Sequence, residues 1–173
     1  MSSDNGRLRA AALGDSGTAR SLESQINTLD PVVGTVAVKG PGPLIVVDDA
    51  ANGLRDGCDR VLDMDLQILI DGLWQAGAEA ISVNGHRPSA LTATRGAGEA
   101  ITVDYRSLTR PYRIQAIGDP RTLQARYVES DGGVWWNDLA QNRRTSYDIT
   151  AVEEMTLTAD AGMVLRYAKH AGS

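Results

Sequence analysis

Residues suited to chemistry fall together in one short segment of the sequence. Glu79, Asn84, His86 and Arg87 place a carboxylate, an amide, an imidazole and a guanidinium at and just beyond a short apolar run. An imidazole beside a carboxylate can transfer protons, and the end of a strand that follows a crossover helix often holds a ligand. These four residues are therefore a candidate ligand or partner site. A simpler interpretation, which we favour, is that the Asn-Gly pair makes a tight turn and that Arg87 pairs with an acid.

Two adjacent tryptophans form a second candidate partner site. Trp135 and Trp136 fall in a helical stretch with Leu139, and tryptophan is enriched among residues that dominate binding energy. The pair could anchor a protein partner or, beside a groove, a cell-wall glycan. The chain has no Phe, so its core needs other large rings, and neighbouring residues on a helix point about 100° apart. We expect one ring in the core and the other under another segment or on a contact surface.

Metal and nucleophilic chemistry find weaker support. Cys58 is the only cysteine, and His86 and His170 are the only histidines. This count excludes cysteine-based zinc ligation and any metal site built on several histidines. The sequence has neither the GxSxG pattern of a nucleophile elbow nor a GxxxxGK[ST] phosphate loop. We therefore name no catalytic residue and expect no cofactor.

A cluster of aspartates could bind a divalent cation, because calcium and magnesium prefer several carboxylate ligands. The spacing does not match an EF-hand loop, and two of the acids are better explained as residues that begin a helix. We therefore expect acids of a solvated loop and no metal site. The six residues are Asp48, Asp49, Asp56, Asp59, Asp63 and Asp65.

Hydrophobic spacing predicts the elements that position these residues. An apolar stripe at i, i+3, i+4, i+7 and i+8 predicts a helix with its N-cap at Asp63 and its end near Gly77. The runs GTVAV and LIVVDD predict a hairpin around KGPGP. The second run is apolar on both faces, so it is expected to be central in its sheet. The segments AEAISVN, LTATR, ITVDY and YRIQAIGD predict further strands.

The C-terminal half predicts two helical pieces and one or two strands. Asp119-Pro120 starts a helix of about three turns through RTLQARYVE, and GGVWWNDLAQN follows after a glycine break. The segments RTSYDITAV and EEMTLTA finish as strands. Two strand-helix-strand halves around a small strand insertion predict an α+β fold. The specific expectation is a ferredoxin-like split βαβ sandwich with an additional N-terminal hairpin strand and a short N-terminal helix.

The chain is expected to hold one folded α+β domain over residues 32–168. Residues 1–16 and 169–173 are expected to be disordered tails. An apolar stripe with 3-4-3 spacing predicts a helix over residues 17–31. This helix is either the end of a coiled coil, through which the chain could form a homodimer, or a terminal helix packed on its own domain.

Charge and hydropathy exclude some partners. The 173 residues carry 17 basic and 22 acidic side chains, a formal net charge of −5, which argues against nucleic-acid binding. No apolar run approaches the ~18 residues that a membrane helix needs. This chain itself is therefore expected to be soluble.

One long run resembles a known bacterial family. The segment DLQILIDGLWQAGAEAISVNGHRPSALTATRGAGEAITVD, with RPYRIQAIGDPRTL after it and KGPGPLIVVDD before it, is similar to the bacterial domain-of-unknown-function 881 family. The family is also known as uncharacterised protein family 0749, and the composition of this chain resembles actinobacterial members. Members usually carry Asn-Glu where this chain has Asp71-Gly72, and often Gln where it has His86. A polar site that depends on those positions is therefore in doubt.

The resemblance implies a membrane-anchored protein of the cell envelope. Such proteins typically have an N-terminal membrane anchor, a coiled-coil stretch and then this domain outside the cytoplasm, and their genes tend to lie near cell-division genes. We therefore expect a non-enzymatic protein-interaction domain, linked to cell division or wall assembly, whose partner is an envelope or division protein. It would reach a membrane only through an anchor that this chain does not contain. The alternative is a small-ligand-binding or enzymatic domain with a polar site at Glu79, Asn84 and Arg87.

Overall fold

The computed structural model describes residues 34–50, 60–88, 92, 94–97, 100–103, 106–143 and 145–160. The predicted tails and the predicted helix over residues 17–31 lie outside this part of the chain. Within it, no helix is long and apolar enough to span a bilayer. The elements in chain order are β1 (Val38–Asp48), α1 (Asp63–Ala76), β2 (Ala80–Val83), β3 (Thr94–Ala97), β4 (Ala100–Val103), β5 (Arg106–Ser107), β6 (Tyr112–Ile117), α2 (Leu123–Glu129), α3 (Asp131–Asn142) and β7 (Ser146–Leu157).

The main sheet has four strands in the order β2-β6-β1-β7, and all neighbouring pairs are antiparallel. The α+β class predicted from the sequence is therefore confirmed. β1 lies between β6 and β7, as its apolar run predicted, and Ile45 and Val47 are fully buried. These two side chains share a core with α1 and with the inner residues of β2 and β6. The helices thus cover one face of the sheet.

The first helix carries the apolar stripe that predicted it. Leu66, Leu69 and Leu73 are fully buried, and the helix ends at Gly77, whose φ of 100° suits a residue without a side chain. The N-cap prediction is wrong by one residue, because the cap position is Leu62. The carboxylate of Asp65 accepts the Leu62 N–H at 2.9 Å and so satisfies one of the free donors at this helix end.

The second predicted helix is shorter than its pattern suggested. Asp119 accepts the N–H of Arg121 at 2.9 Å and holds the chain in a turn, so α2 begins only at Leu123. The break before α3 is also not at the glycines but at Ser130, whose hydroxyl accepts the N–H of Gly133 at 3.3 Å. Gly133 lies inside α3. A Cβ at this position would come within 2.2 Å of the Tyr127 carbonyl oxygen, so the close approach of α3 to the end of α2 requires a glycine here.

The predicted N-terminal hairpin is wrong, since the segment KGPGP continues a single strand. β1 pairs with β7 on both sides of an irregularity between Gly40 and Gly42. A Cβ on Gly42 would lie 1.9 Å from the Ala116 carbonyl oxygen, so this glycine allows the end of β6 to approach closely rather than making a turn. The carbonyl of Pro41 accepts the N–H of Gly118 at 3.1 Å. The glycines and prolines of KGPGP therefore lie within a strand, although these residue types are typical of a turn.

The strand insertion forms a second sheet of three strands in the order β3-β4-β5. β3 shares Thr94 and Arg95 with the predicted strand LTATR, β4 shares residues 101–103 with the predicted strand ITVDY, and the two-residue β5 was not predicted. Ile101, Val103 and Leu108 point into the main core. At the other surface, the carboxylate of Asp63 accepts the N–H of Gly96 at 2.7 Å and joins the small sheet to the start of α1.

A second, smaller apolar cluster lies on the face of the main sheet that the helices leave uncovered. It brings Met155 and Leu157 of β7 against Ala80 and Ile117. Side chains alternate along a strand, so these two residues of β2 and β6 face away from the helices. The β1–β7 ladder therefore curls over this face beyond its irregularity, as bulged ladders commonly do. The curl carries the chain after Leu157 towards the free edge of β2.

Candidate functional site

The segment that follows β2 is a two-residue hairpin turn. Val83 and His86 exchange backbone hydrogen bonds of 2.8 and 2.9 Å, and the φ angles of Asn84 and Gly85 are 49° and 84°. Two central residues with positive φ define a type I′ turn, for which Asn-Gly is the favoured pair. The turn interpretation of this pair is therefore correct, and it fixes where His86 and the residue after it stand.

The side chain of Asn84 is used to hold backbone. Its Nδ2 donates to the Thr109 carbonyl at 2.6 Å, and its Oδ1 accepts the N–H of Arg113 at 2.7 Å. These bonds join the turn to the loop that leads into β6. The amide therefore already has a protein partner for both its donor and its acceptor, and it acts as a structural brace.

Next to the turn, the side chains of His86 and Arg106 and the backbone N–H of Arg87 surround the carboxylate of Asp160. We call these four residues the Asp160 cluster. Arg106 Nη1 donates to both carboxylate oxygens of Asp160, at 2.7 and 2.9 Å. The same Nη1 lies 3.0 Å from His86 Nδ1, and that ring nitrogen lies 3.4 Å from Asp160 Oδ2. The N–H of Arg87 also donates to this carboxylate, at 3.3 Å. With its side chain only 15% exposed, Asp160 is the centre of the group.

The Asp160 cluster ties together the two ends of the described domain. The N–H of Asp160 donates to the Gly34 carbonyl at 2.9 Å, and Arg87 Nη1 donates to the Val36 carbonyl at 3.3 Å. A Cβ on Gly34 would come within 2.7 Å of the Cβ of Arg87, and the φ of this glycine is 82°. The first and last described residues therefore meet at the same corner, beside the hairpin turn.

Electrostatics favour the charged form of the central acid. Burial raises the pKa of Asp160, but hydrogen bonds from Arg106 and from the Arg87 N–H, together with the charge of Arg106, outweigh burial and bring the pKa below its ordinary value of 3.8. Burial lowers the pKa of Arg87, and Asp160 opposes that effect. The cluster is thus a set of mutually compensating charges. Because its polar groups already contact one another, the cluster can hold four segments of backbone together.

Glu79 does not join the other predicted site residues. It is exposed at the start of β2, with its N–H bonded to the Ile117 carbonyl at 2.8 Å, whereas the turn lies at the other end of the strand. Four strand residues at ~3.3 Å each separate the two ends by about 13 Å. The structure therefore brings His86 and Arg87 together next to Asn84 and leaves the carboxylate of Glu79 apart.

Sequence reasoning missed Arg106 and Asp160. The expectation that Arg87 pairs with an acid pointed in the right direction, but that acid is 73 residues away in the chain. Neither spacing nor composition marks Asp160, because it follows a strand whose curl is a tertiary feature. Arg106 belongs to the two-residue β5, which is too short to leave a pattern.

Both tryptophans bond to one buried acid of α1. Trp136 is fully buried, donates from Nε1 to the Asp65 carbonyl at 3.0 Å and stacks on Tyr147, with 5.9 Å between ring centroids. Trp135 is half-buried and donates from Nε1 to Asp65 Oδ1 at 3.0 Å. Together the pair holds α3 against α1, and Trp135 keeps one side at the surface.

The expectation of solvated acids is wrong for Asp49, and Asp65 acts at the start of α1, as its position suggested. Asp49 and Asp65 are buried. Asp49 accepts the N–H of Val61 at 2.8 Å and pairs with Arg110, which also approaches Asp48 at 3.8 Å. These acids instead hold loops in place, and no cluster of His, Cys, Asp or Glu in the described residues is arranged to bind a metal ion. Asp56 and Asp59 lie outside those residues.

Two cavities lined by described residues lie away from the Asp160 cluster. One, of about 30 Å³, lies between β1, β7 and α2, and has room for about one water molecule. A second is a wide, open groove of about 450 Å³ along α2, next to the half-exposed Val128. Neither is an enclosed pocket of the kind that buries a small ligand.

Comparison with known proteins places this fold in a family. The sequence profile of a bacterial protein family of unknown function, DUF881, matches residues 25–169. The chain belongs to the DUF881 family. The UPF0749 protein Rv1823 of Mycobacterium tuberculosis is 30% identical over 175 residues, which cover 95% of this chain and 57% of the relative. The UPF0749 protein Mb1856 of Mycobacterium bovis is 36% identical over 68% of this chain and 39% of that relative.

A solved structure shares the architecture of this DUF881 domain. The crystal structure of an uncharacterized conserved protein from Mycobacterium tuberculosis has a TM-score of 0.67 and 30% sequence identity, and the match covers 84% of this chain and 98% of that chain. The chain spans little more than half the length of the first curated relatives that it matches. These relatives therefore contain a large part outside the region that the DUF881 domain shares with them.

Proposed function

We propose that this DUF881 domain is a non-enzymatic protein-interaction domain. The observation that carries the proposal is the Asp160 cluster, in which the imidazole, the guanidinium groups and the carboxylate bond to one another and to backbone. An acid-base site would leave at least one of these groups directed at a substrate. The polar atoms of Asn84 and Asp65 are likewise bonded to other protein groups, where they hold loops and helices in place.

The corner at which Gly34 meets Asp160 supports the same proposal. A backbone hydrogen bond joins these two residues, which are the first and last that the structure describes. We propose that the domain joins the rest of its protein at this corner and presents its other surfaces to partners. This arrangement suits a domain held on a stalk, and the predicted helix over residues 17–31 would be the last part of that stalk.

For the full-length protein we propose a membrane-anchored protein of the cell envelope, with this domain outside the cytoplasm and an anchor outside this chain. The greater length of the mycobacterial relatives leaves room for an anchor and a coiled coil. The coiled coil would make a homodimer, and the partner would be an envelope or cell-division protein.

In fold terms, the strand order β2-β6-β1-β7 with antiparallel neighbours supports a ferredoxin-like split βαβ arrangement.

Cross-linking of the full-length protein in its native cells tests this function. We expect a covalent adduct with a second protein in the envelope fraction, and the same adduct from the variants Glu79→Gln and His86→Gln. A protein that stays monomeric and gives no adduct would contradict the proposal. If cells that carry Glu79→Gln behave like cells that lack the protein, while the adduct still forms, the alternative of an enzymatic or ligand-binding site at Glu79, Asn84 and Arg87 would be favoured.

A further inference from the structure

The outer edge of the main sheet is formed by its longest strand. β7 has 12 residues, which at ~3.3 Å each give about 40 Å of edge. In the described part of the chain, β1 is its only neighbouring strand in the sheet. Long edge strands offer free backbone groups to other extended chains, and proteins commonly protect them with charge.

The direction of the free backbone groups follows from a proline. Pro43 lies opposite Ala151, and because Pro43 has no N–H this pair cannot exchange two hydrogen bonds. In the non-hydrogen-bonded pairs of an antiparallel ladder, the N–H and C=O groups of both residues point away from each other. Ala151 and, by alternation, Ile149 and Tyr147 therefore direct their N–H and C=O groups to the outer edge of the sheet.

The side chains along this edge are acidic. Asp148, Glu153 and Glu154 are exposed, and the strand contains no Lys or Arg. Lys39 of β1 pairs with Glu154 at 2.9 Å. Neither Asp148 nor Glu153 has a basic partner among the described residues, so the edge retains negative charge.

This charge pattern disfavours pairing between two copies of the chain. Pairing of two copies along this edge would bring together two strands that each carry Asp148 and Glu153 and contain no basic side chain. Like charges directly opposite each other destabilise a pair of strands. The same carboxylates would attract lysines or arginines of a different chain, so charge selects the occupant of the edge.

We infer that the outer edge of β7 is a docking site for an extended, basic segment of a partner protein, which adds to the sheet beside β7. The inference rests on the proposed interaction function and names the chemistry of its partner. Hydrogen bonds to Tyr147, Ile149 and Ala151 supply the pairing, and the carboxylates select lysine or arginine at alternate positions of the incoming strand.

A titration with a synthetic strand tests the inference. The probe is the fluorescein-labelled heptapeptide Lys-Thr-Lys-Val-Lys-Thr-Lys, and the matched control peptide has Glu at each Lys position. We expect the basic peptide to bind and the acidic peptide not to bind, with affinity falling as salt is raised. In amide hydrogen exchange, the amides of Tyr147, Ile149 and Ala151 should slow when the peptide is bound, because those N–H groups become bonded.

Two variants of one residue separate docking from folding. Ala151→Pro removes an outward N–H that does not serve the β1 ladder, so we expect binding to weaken at least about tenfold while the folded state persists. Ala151→Val keeps that N–H and should bind as the wild type does. Asp148→Lys should also weaken binding, whereas Asp71→Lys, the same charge change on exposed α1, should have little effect beyond its general electrostatics.

Binding that is unchanged in Ala151→Pro, equal binding of both peptides, or no binding of the basic peptide would each overturn the docking site. If Ala151→Pro does not fold, the exchange pattern and Asp148→Lys still decide the outcome. Absence of peptide binding together with a protein adduct in cells would reject this edge and leave the interaction function standing. Absence of both would reject both.

Discussion

A single carboxylate, that of Asp160, receives hydrogen bonds from segments far apart in the chain. Asp160→Asn keeps the shape of the side chain but replaces one acceptor oxygen by a donor, which would face Arg106. We expect a loss of about 1–3 kcal/mol in the free energy of unfolding, the usual range for a buried bond to a charged group. Urea denaturation near neutral pH measures it. Asp71→Asn, which alters only an exposed contact with Gln67, serves as the control and should change stability little.

The pH dependence of stability provides a second test of Asp160. Its pKa is lower in the folded protein than its ordinary value of 3.8, so the native state binds the proton more weakly than the unfolded chain does. The resulting stabilisation is present above the unfolded pKa and is lost as the pH falls through the folded pKa. We expect the stability difference between wild type and Asp160→Asn to shrink below about pH 4. A difference that stays constant from neutral pH to pH 2 would contradict this role.

The tryptophan pair separates core packing from surface contact. Trp136→Ala removes a fully buried ring and its bond to the Asp65 carbonyl, and we expect a loss of about 3–5 kcal/mol in the free energy of unfolding. Trp135→Ala should cost less, about 1–2 kcal/mol, because its ring is half-exposed and contributes one bond to the Asp65 carboxylate. Thermal and urea unfolding measure both values. A larger loss of stability in Trp135→Ala than in Trp136→Ala would contradict the placement of Trp136 in the core and of Trp135 at the surface.

Site residues were predictable from the sequence only where the contact is local. The Asn-Gly turn and the large ring in a Phe-free core follow from residue type alone. By contrast, Asp160 and Arg106 reach the turn through a curled ladder and a two-residue strand, and neither feature has a periodic signal. For the same reason, buried acids such as Asp49 resemble solvated loop acids until the arginine that neutralises them is placed beside them.

At the scale of elements, the glycines of β1 offer a paired test of close strand approach. Gly42→Ala would place a methyl group 1.9 Å from the Ala116 carbonyl oxygen, which belongs to a paired strand and cannot move alone. We expect a loss of about 3 kcal/mol in the free energy of unfolding, at the upper end of the cost of overpacking. Gly40→Ala would meet the Cγ2 of Ile117 at 2.8 Å, a side-chain atom rather than the backbone of a paired strand, so it should cost less, about 1–2 kcal/mol.

Chemical denaturation of the two glycine variants measures the difference, and equal losses would show that the strands do not approach as described.

The segment KGPGP also explains why this element was mispredicted. Glycine and proline are the strongest local signals of a turn, but here a neighbouring strand requires their lack of a Cβ, and that requirement appears only once the sheet is assembled. The strong stripe of α1 needed no such context, and its helix was predicted to within a residue at either end.

On the scale of the whole molecule, the two edges of the main sheet have different surroundings. The strand order places β2, beside which Gly34 and Asp160 meet, at one edge and β7 at the other. A partner bound along Tyr147, Ile149 and Ala151 would therefore lie at the edge of the sheet opposite to the corner where Gly34 meets Asp160.

The most direct measurement is photo-cross-linking of the full-length protein in its native cells. Benzoylphenylalanine would replace Ala151 on the edge of β7, Val134 on exposed α3 and Asp71 on exposed α1, one position at a time. We expect an adduct with one defined second protein from position 151 and none from position 71. An adduct from position 134 alone would move the interface to the helices. If none of the three positions gives a protein adduct, the proposal that this is an interaction domain is contradicted.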